Sequence, residues 1–208
     1  MKRYPQEDGS MQLKSTSALL LAVLLVAGPG VATGSDVTDP SLPRNLPADG
    51  RVEVRWTDPA QFTEIRLSSN SHEARQGNWV WQLAQHLRDS AGKVLPAGQK
   101  LDVTITDIDL AGQYPPGAAG SAQDVRVMRD IYPPRMTLTF KRTAEDGSVI
   151  DQGDRKLADT GYLDGASPLG FDQALRFDKQ LIDQWVRREV RNAKEARKET
   201  VNSAGDPG

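Results

Sequence analysis

Two carboxylates sit together in Asp107-Ile108-Asp109, at the close of an alternating apolar run and just before Gly112. Two residues apart on a strand, they point to the same face. Oxygen ligands so placed could hold a hard cation such as Ca²⁺ or Mg²⁺, or work as a general acid and base. The plainer reading is a strand end whose aspartates make turn hydrogen bonds, which this residue type favours. A second dense group, Arg126, Arg129, Asp130, Tyr132 and Arg135, flanks Pro133-Pro134. Its guanidinium groups could pair with the Asp107 and Asp109 end of a neighbouring strand, or receive a phosphate or carboxylate ligand. The seven residues together form the candidate binding surface. A hydrolase using Asp107, Asp109 or Asp130 is the competing reading.

Other chemistries find less footing. The two histidines, His72 and His86, lie fourteen residues apart without zinc-ligand spacing. No Gly-x-Ser-x-Gly elbow occurs. The glycines at 112, 117 and 120 lie in a proline-interrupted stretch with no helix after them, so they make no phosphate loop. No metal and no cofactor is expected. There is no cysteine, which excludes disulfides, thiolate chemistry and a lipidated N-terminal cysteine. With 26 Lys and Arg against 28 Asp and Glu, the chain lacks the concentrated positive charge that nucleic-acid binding requires.

These groups must be positioned by the elements around them. Residues 18–27 are an unbroken apolar run behind Lys14, broken by Gly28-Pro29-Gly30 and followed by small residues up to Ala32. This is the pattern of a cleavable signal peptide, and the run falls short of the roughly 20 residues that span a bilayer. Residues 1–10 carry Glu7 and Asp8, which suit no signal, so Met11 is read as the true start and residues 1–32 as removed. No membrane span is expected after cleavage, and the expected location is periplasmic or secreted. Residues 33–50, with three prolines, read as a flexible leader. Order is expected from Arg51.

Val52, Val54 and Trp56 alternate with polar residues, as do Leu101, Val103 and Ile105, and each set predicts a half-buried strand. The apolar parity slips to Ile108, which predicts a bulge or a strand end near Asp107. Residues 125–131 suggest a short strand stopped by Pro133. Met136, Leu138 and Phe140, a turn at Asp146-Gly147, and residues 149–157 predict a hairpin whose polar second arm lies at a sheet edge. Val80, Leu83, Ala84, Leu87 and Ala91 recur at helical spacing, behind Asn70 and Glu73 in a capping-box arrangement. Ala174, Leu175, Leu181, Ile182, Trp185 and Val186 place a last helix over residues 172–191. A charged, disordered tail follows over 192–208. The expected architecture is α+β: a mostly antiparallel sheet of about four strands with two amphipathic helices packed on one face. Trp56, Trp79 or Trp81, and Trp185 are its expected core anchors.

The stretches Val52-Glu53-Val54-Arg55-Trp56-Thr57-Asp58-Pro59, Asp107-Ile108-Asp109-Leu110-Ala111-Gly112 and Val125-Arg126-Val127-Met128-Arg129-Asp130-Ile131-Tyr132-Pro133-Pro134-Arg135 together resemble one family of exported bacterial proteins. It is the domain-of-unknown-function family numbered three thousand and sixteen. The resemblance runs over about residues 51–191 and implies a single domain exported by a Gram-negative bacterium, but no catalytic residues. The expected role is therefore a non-catalytic binding or envelope accessory protein, with an unknown protein or small ligand as partner.

Overall fold

In the computed structural model, residues 36–117, 120–164 and 175–191 are described. The signal segment, the predicted tail and residues 172–174 of the predicted last helix lie outside them. Strand β1, Val52–Trp56, buries Val52, Val54 and Trp56 and exposes the residues between, as its period-2 pattern requires. Two short helices follow, α1 at Thr63–Arg66 and α2 at Ser71–Arg75. The main helix α3 spans Trp79–Val94 and buries Trp79, Val80, Leu83, Ala84, Leu87 and Ala91. Strands β2, Lys100–Asp109, β3, Arg135–Thr143, and β4, Val149–Ala158, complete one sheet of order β1-β2-β3-β4. Helix α4, Arg176–Trp185, runs on into a π turn at Val186–Arg191.

The sheet is mixed, which corrects the expectation of a mostly antiparallel one. Strand β2 pairs antiparallel with β3, and β3 with β4, but β1 pairs parallel with β2. A parallel pair needs a crossover of a dozen or more residues, and residues 57–99 with α3 supply it. The predicted bulge is present: Ile105 faces Leu138 while Asp107 faces Thr137, so Thr106 is the extra residue. The slip returns Ile108 to the buried face, opposite Met136. The predicted strand at 125–131 is absent. That stretch makes a single isolated bridge in place of a strand ladder, Gln113 to Val127. A capped helix does begin at Asn70, whose Oδ1 accepts from the Glu73 amide at 3.2 Å. It stops at Arg75, because Gly77 takes φ 88° and breaks the helical path before α3 starts.

The core gathers Phe62, Leu83, Leu87, Val103, Ile105, Leu138, Ile182 and Trp185. Trp185 is fully enclosed and meets Phe140 edge-on, with centroids 5.9 Å apart. Trp56 and Trp79 are also buried, while Trp81 packs partly buried against the same core.

Residues 36–50 do not behave as a leader. Leu46 and Val37 are buried. The Leu46 amide donates to Val54 O at 3.0 Å, and the Trp56 amide donates to Arg44 O at 2.8 Å. Arg44 also pairs with Asp58 at 3.1 Å. Prolines suit this role, since a segment beside an edge strand needs few amide donors. Truncating a buried leucine costs about 2–5 kcal/mol. Leu46→Ala is expected to lower unfolding stability by about that amount in chemical denaturation, whereas a free leader would leave the midpoint unmoved.

Candidate functional site

The crossover places α1 beside the end of β2. Asp107 fixes that placement: its carboxylate accepts from the Thr63 amide at 2.6 Å and from the Thr63 hydroxyl at 2.8 Å. This orients Glu64 inward, and its side chain is almost wholly buried. Glu64 Oε2 accepts from the Leu110 amide at 3.0 Å. Arg126 meets the same carboxylate through both terminal nitrogens, one of them in a very short contact with Oε1. The remaining capacity of the guanidinium goes to main chain, with Nη1 donating to Gly112 O at 2.8 Å. Tyr114 lies under it, 4.6 Å from the guanidinium carbon to the ring centre.

Burial pushes the Glu64 carboxyl pKa upward, and Arg126 together with the Leu110 amide pulls it back. The bidentate geometry is that of an ion pair. A second carboxylate stands close by. Asp178 of α4 is buried and accepts from the Ala111 amide at 3.1 Å. Desolvation lifts its pKa to about 7, against the opposing pull of that amide and of Arg126, and with a further push from Glu64.

Gly112 sits where these strands of contact cross. Its φ is 77°, and a Cβ there would lie 2.6 Å from Met128 Sδ and 2.9 Å from Val127 O. Only glycine permits the close passage of the two segments. Its amide donates to Tyr132 O at 2.9 Å, and the Tyr162 hydroxyl donates to Arg129 O at 2.9 Å. Residues 129–132 therefore form a turn, closed by the Tyr132 amide on Arg129 O at 2.8 Å. The turn displays Arg129, Asp130 and Ile131 to solvent, and Ile131 is 70% exposed.

The seven predicted residues divide accordingly. Asp107 is engaged with Thr63. Asp109 faces Arg135 at 3.9 Å, and burial raises its pKa. Arg126 turns inward, whereas Arg129, Asp130 and Arg135 point outward, and Tyr132 is half-buried. Glu64 and Asp178 carry no motif signal, being single acids in or beside apolar stretches. Among the described residues no group of three or more His, Cys, Asp or Glu could hold a metal ion. His86 Nε2 lies 2.9 Å from Asp183 Oδ1, and the Ser90 hydroxyl donates to the same oxygen at 2.7 Å. Serine and aspartate approach the same ring nitrogen, so the trio links α3 to α4 and lacks the relay order of a catalytic triad.

Beside Arg126 opens a cleft of about 540 Å³. Trp79, Leu110, Tyr114, Met128 and Leu175 give it apolar walls. Glu73, Gln76, Asn78, Gln82 and Lys179 give it polar ones. Of the predicted surface only Arg126 reaches it.

Two outcomes follow for the buried charges. Arg126→Met should cost about 3–5 kcal/mol by leaving Glu64 uncompensated, and adding Glu64→Gln should recover part of that loss in a double-mutant cycle. Asp178 binds its proton more tightly folded than unfolded, so its contribution to stability is full below the unfolded value of 3.8 and is lost as pH rises to about 7. Asp178→Asn should remove that decline, leaving a variant more stable than the wild type at pH 8 in thermal melts. An unchanged pH profile would place the titration elsewhere.

No helix of the described residues is long and apolar enough to cross a membrane. No curated protein matches the chain. A solved structure described as a "putative lipoprotein" from Caulobacter crescentus CB15 is similar at 13% identity, covering 76% of this chain and 94% of that one. Its TM-score of 0.35 is too low to establish a shared fold. The profile described as "Protein of unknown function (DUF3016)" matches residues 50–188, the span that holds the sheet, the buried Glu64–Arg126 pair and the displayed turn. The chain therefore belongs to the DUF3016 family.

Proposed function

We propose that this is an exported, non-catalytic binding protein of the bacterial envelope, and that it meets its partner through the turn at residues 129–132 with Arg135 beside it. The observation that carries the reading is the exposure of Ile131 on a backbone whose carbonyls at Arg129 and Tyr132 are already claimed by Tyr162 and Gly112. A large apolar side chain held out on a fixed turn loses little conformational freedom when a partner covers it. Arg129 and Arg135 flank it, which suits a partner surface with an apolar hollow and an acidic rim. Export is supported by the apolar run at residues 18–27 and the small residues leading up to Ala32.

The hydrolase reading has weaker support. Asp107 is engaged with Thr63, Asp109 with Arg135, and Asp130 sits on the exposed turn, so the three do not converge on the cleft.

Ile131→Glu and Arg129→Ala should leave the melting temperature essentially unchanged, because both side chains are exposed. In the native bacterium each should reproduce the phenotype of deleting the protein. If both variants fold normally and retain every wild-type phenotype, the turn is not the binding surface.

A further inference from the structure

The lining of the cleft beside Arg126 includes none of the residues 129–132 of the displayed turn, and it is specific enough to name a ligand class. Its apolar walls are preformed. Trp79 is anchored by its indole nitrogen donating to Ala74 O at 3.0 Å, and Tyr114 is held against the Arg126 guanidinium. The cleft's volume lies within the usual range for small-molecule sites.

Its polar groups fall into three sets. Lys179 has no acidic partner among the described residues. It stands in the same lining as the start of α3, where Asn78 makes no side-chain cap bond to the helix amides. A carboxylate there would meet one cation and the positive end of a sixteen-residue helix. Glu73 is the acidic member, and the one basic side chain within 4.0 Å of it among the described residues is the largely exposed His72. Gln76, Asn78 and Gln82 share the lining. Gln82 Nε2 donates to Asn78 Oδ1 and Gln76 Nε2 to His72 O, which leaves the Asn78 amide nitrogen to donate to a peptide unit and the Gln76 and Gln82 amide oxygens to accept from one. Arg126 adds no free charge, because Glu64 and the Gly112 carbonyl take up its donors.

We propose that this cleft binds a short peptide with apolar side chains and both termini free: Lys179 and the first turn of α3 take the carboxylate, Glu73 the ammonium, and Trp79, Tyr114 and Met128 the side chains. Opposed charges at one apolar cleft distinguish such a zwitterion from a fatty acid, which offers no cation for Glu73, and from a sugar, which offers neither charge.

The test is isothermal titration of the exported chain with leucyl-leucine, leucyl-leucinamide and N-acetyl-leucyl-leucine. Leucyl-leucine should bind, and each blocked form should bind about tenfold or more weakly, the usual worth of a charge-assisted hydrogen bond. Lys179→Gln should abolish the preference for leucyl-leucine over its amide while keeping the preference over the acetylated form. Glu73→Gln should do the reverse. Both side chains are partly exposed, so the variants keep the fold. Ile131→Glu should bind the peptide as the wild type does, which separates this site from the turn. Absence of leucyl-leucine binding at millimolar concentration, or equal binding of all three compounds, overturns the proposal and leaves the reading of the turn untouched.

Discussion

A glutamate and an arginine taken out of water together set the terms for this end of the molecule. Removing two such charges from solvent costs several kcal/mol each, and the cost is offset only if nearly every donor and acceptor finds a partner. Glu64 and Arg126 meet that condition by drawing in main chain. The Leu110 amide serves the carboxylate and the Gly112 carbonyl serves the guanidinium. The pair thus fastens three segments that share no secondary structure: α1, the exit of β2, and the stretch around Arg126. Such an arrangement is intolerant of displacement, because moving any one segment strands a buried charge. Gly112 is the geometric counterpart of this electrostatic demand. The carbonyl can reach Arg126 only where the two backbones pass with no Cβ between them.

Asp178 extends the same logic to α4. One guanidinium cannot neutralise two buried carboxylates, and Glu64 holds the better geometry. The second carboxylate therefore keeps its proton to near neutrality. Its remaining bond, from the Ala111 amide, ties α4 to the residue between Leu110 and Gly112. Tyr162 and Phe177 pack edge-on at 4.8 Å beside Ala111, so the Tyr162 hydroxyl arrives at Arg129 O from the same supported corner. The displayed turn is held through these contacts and through the Gly112 amide on Tyr132 O, and not by a strand ladder of its own.

Much of the scaffold was legible in the sequence, and the reasons are periodic. Alternation identified β1, β2 and the β3–β4 hairpin, and the slip in parity at Ile108 marked a bulge or strand end near Asp107, where the structure has a bulge at Thr106. Helical spacing found α3 from Val80 onward. Alternation says which face is buried but nothing about strand direction, so the parallel pairing of β1 went unseen. Proline content suggested a flexible leader over residues 33–50, where the stretch between Pro43 and Pro47 pairs along the edge strand β1. The site was half legible. Arg126 stood out in a dense charged cluster, but Glu64 is one acid in a four-residue helix, and Asp178 lies on the buried face of α4. Neither has a spacing to betray it, since their partners are 62 and 67 residues away in the chain.

The unforeseen parallel pairing is also what makes the site possible. Parallel strands end at the same edge of a sheet, so the segments leaving β1 and β2 emerge side by side. Thr63 and Glu64 follow β1, and Leu110 to Gly112 follow β2, which is why Asp107 can hold Thr63 and why Glu64 can meet the Leu110 amide. Antiparallel neighbours would send those exits to opposite edges, and Glu64 would have no main chain to serve it. The carboxyl ends of parallel strands are the common place for ligand sites in open sheets. Here the same edge carries the buried ion pair and, through Leu110, Tyr114 and Arg126, the wall of the cleft. The sheet's parallel step thus brings the buried ion pair and the wall of this cleft to one edge, whereas the buried charge of the antiparallel hairpin, Arg142 of β3, stands apart with Asp151 of β4 3.8 Å away.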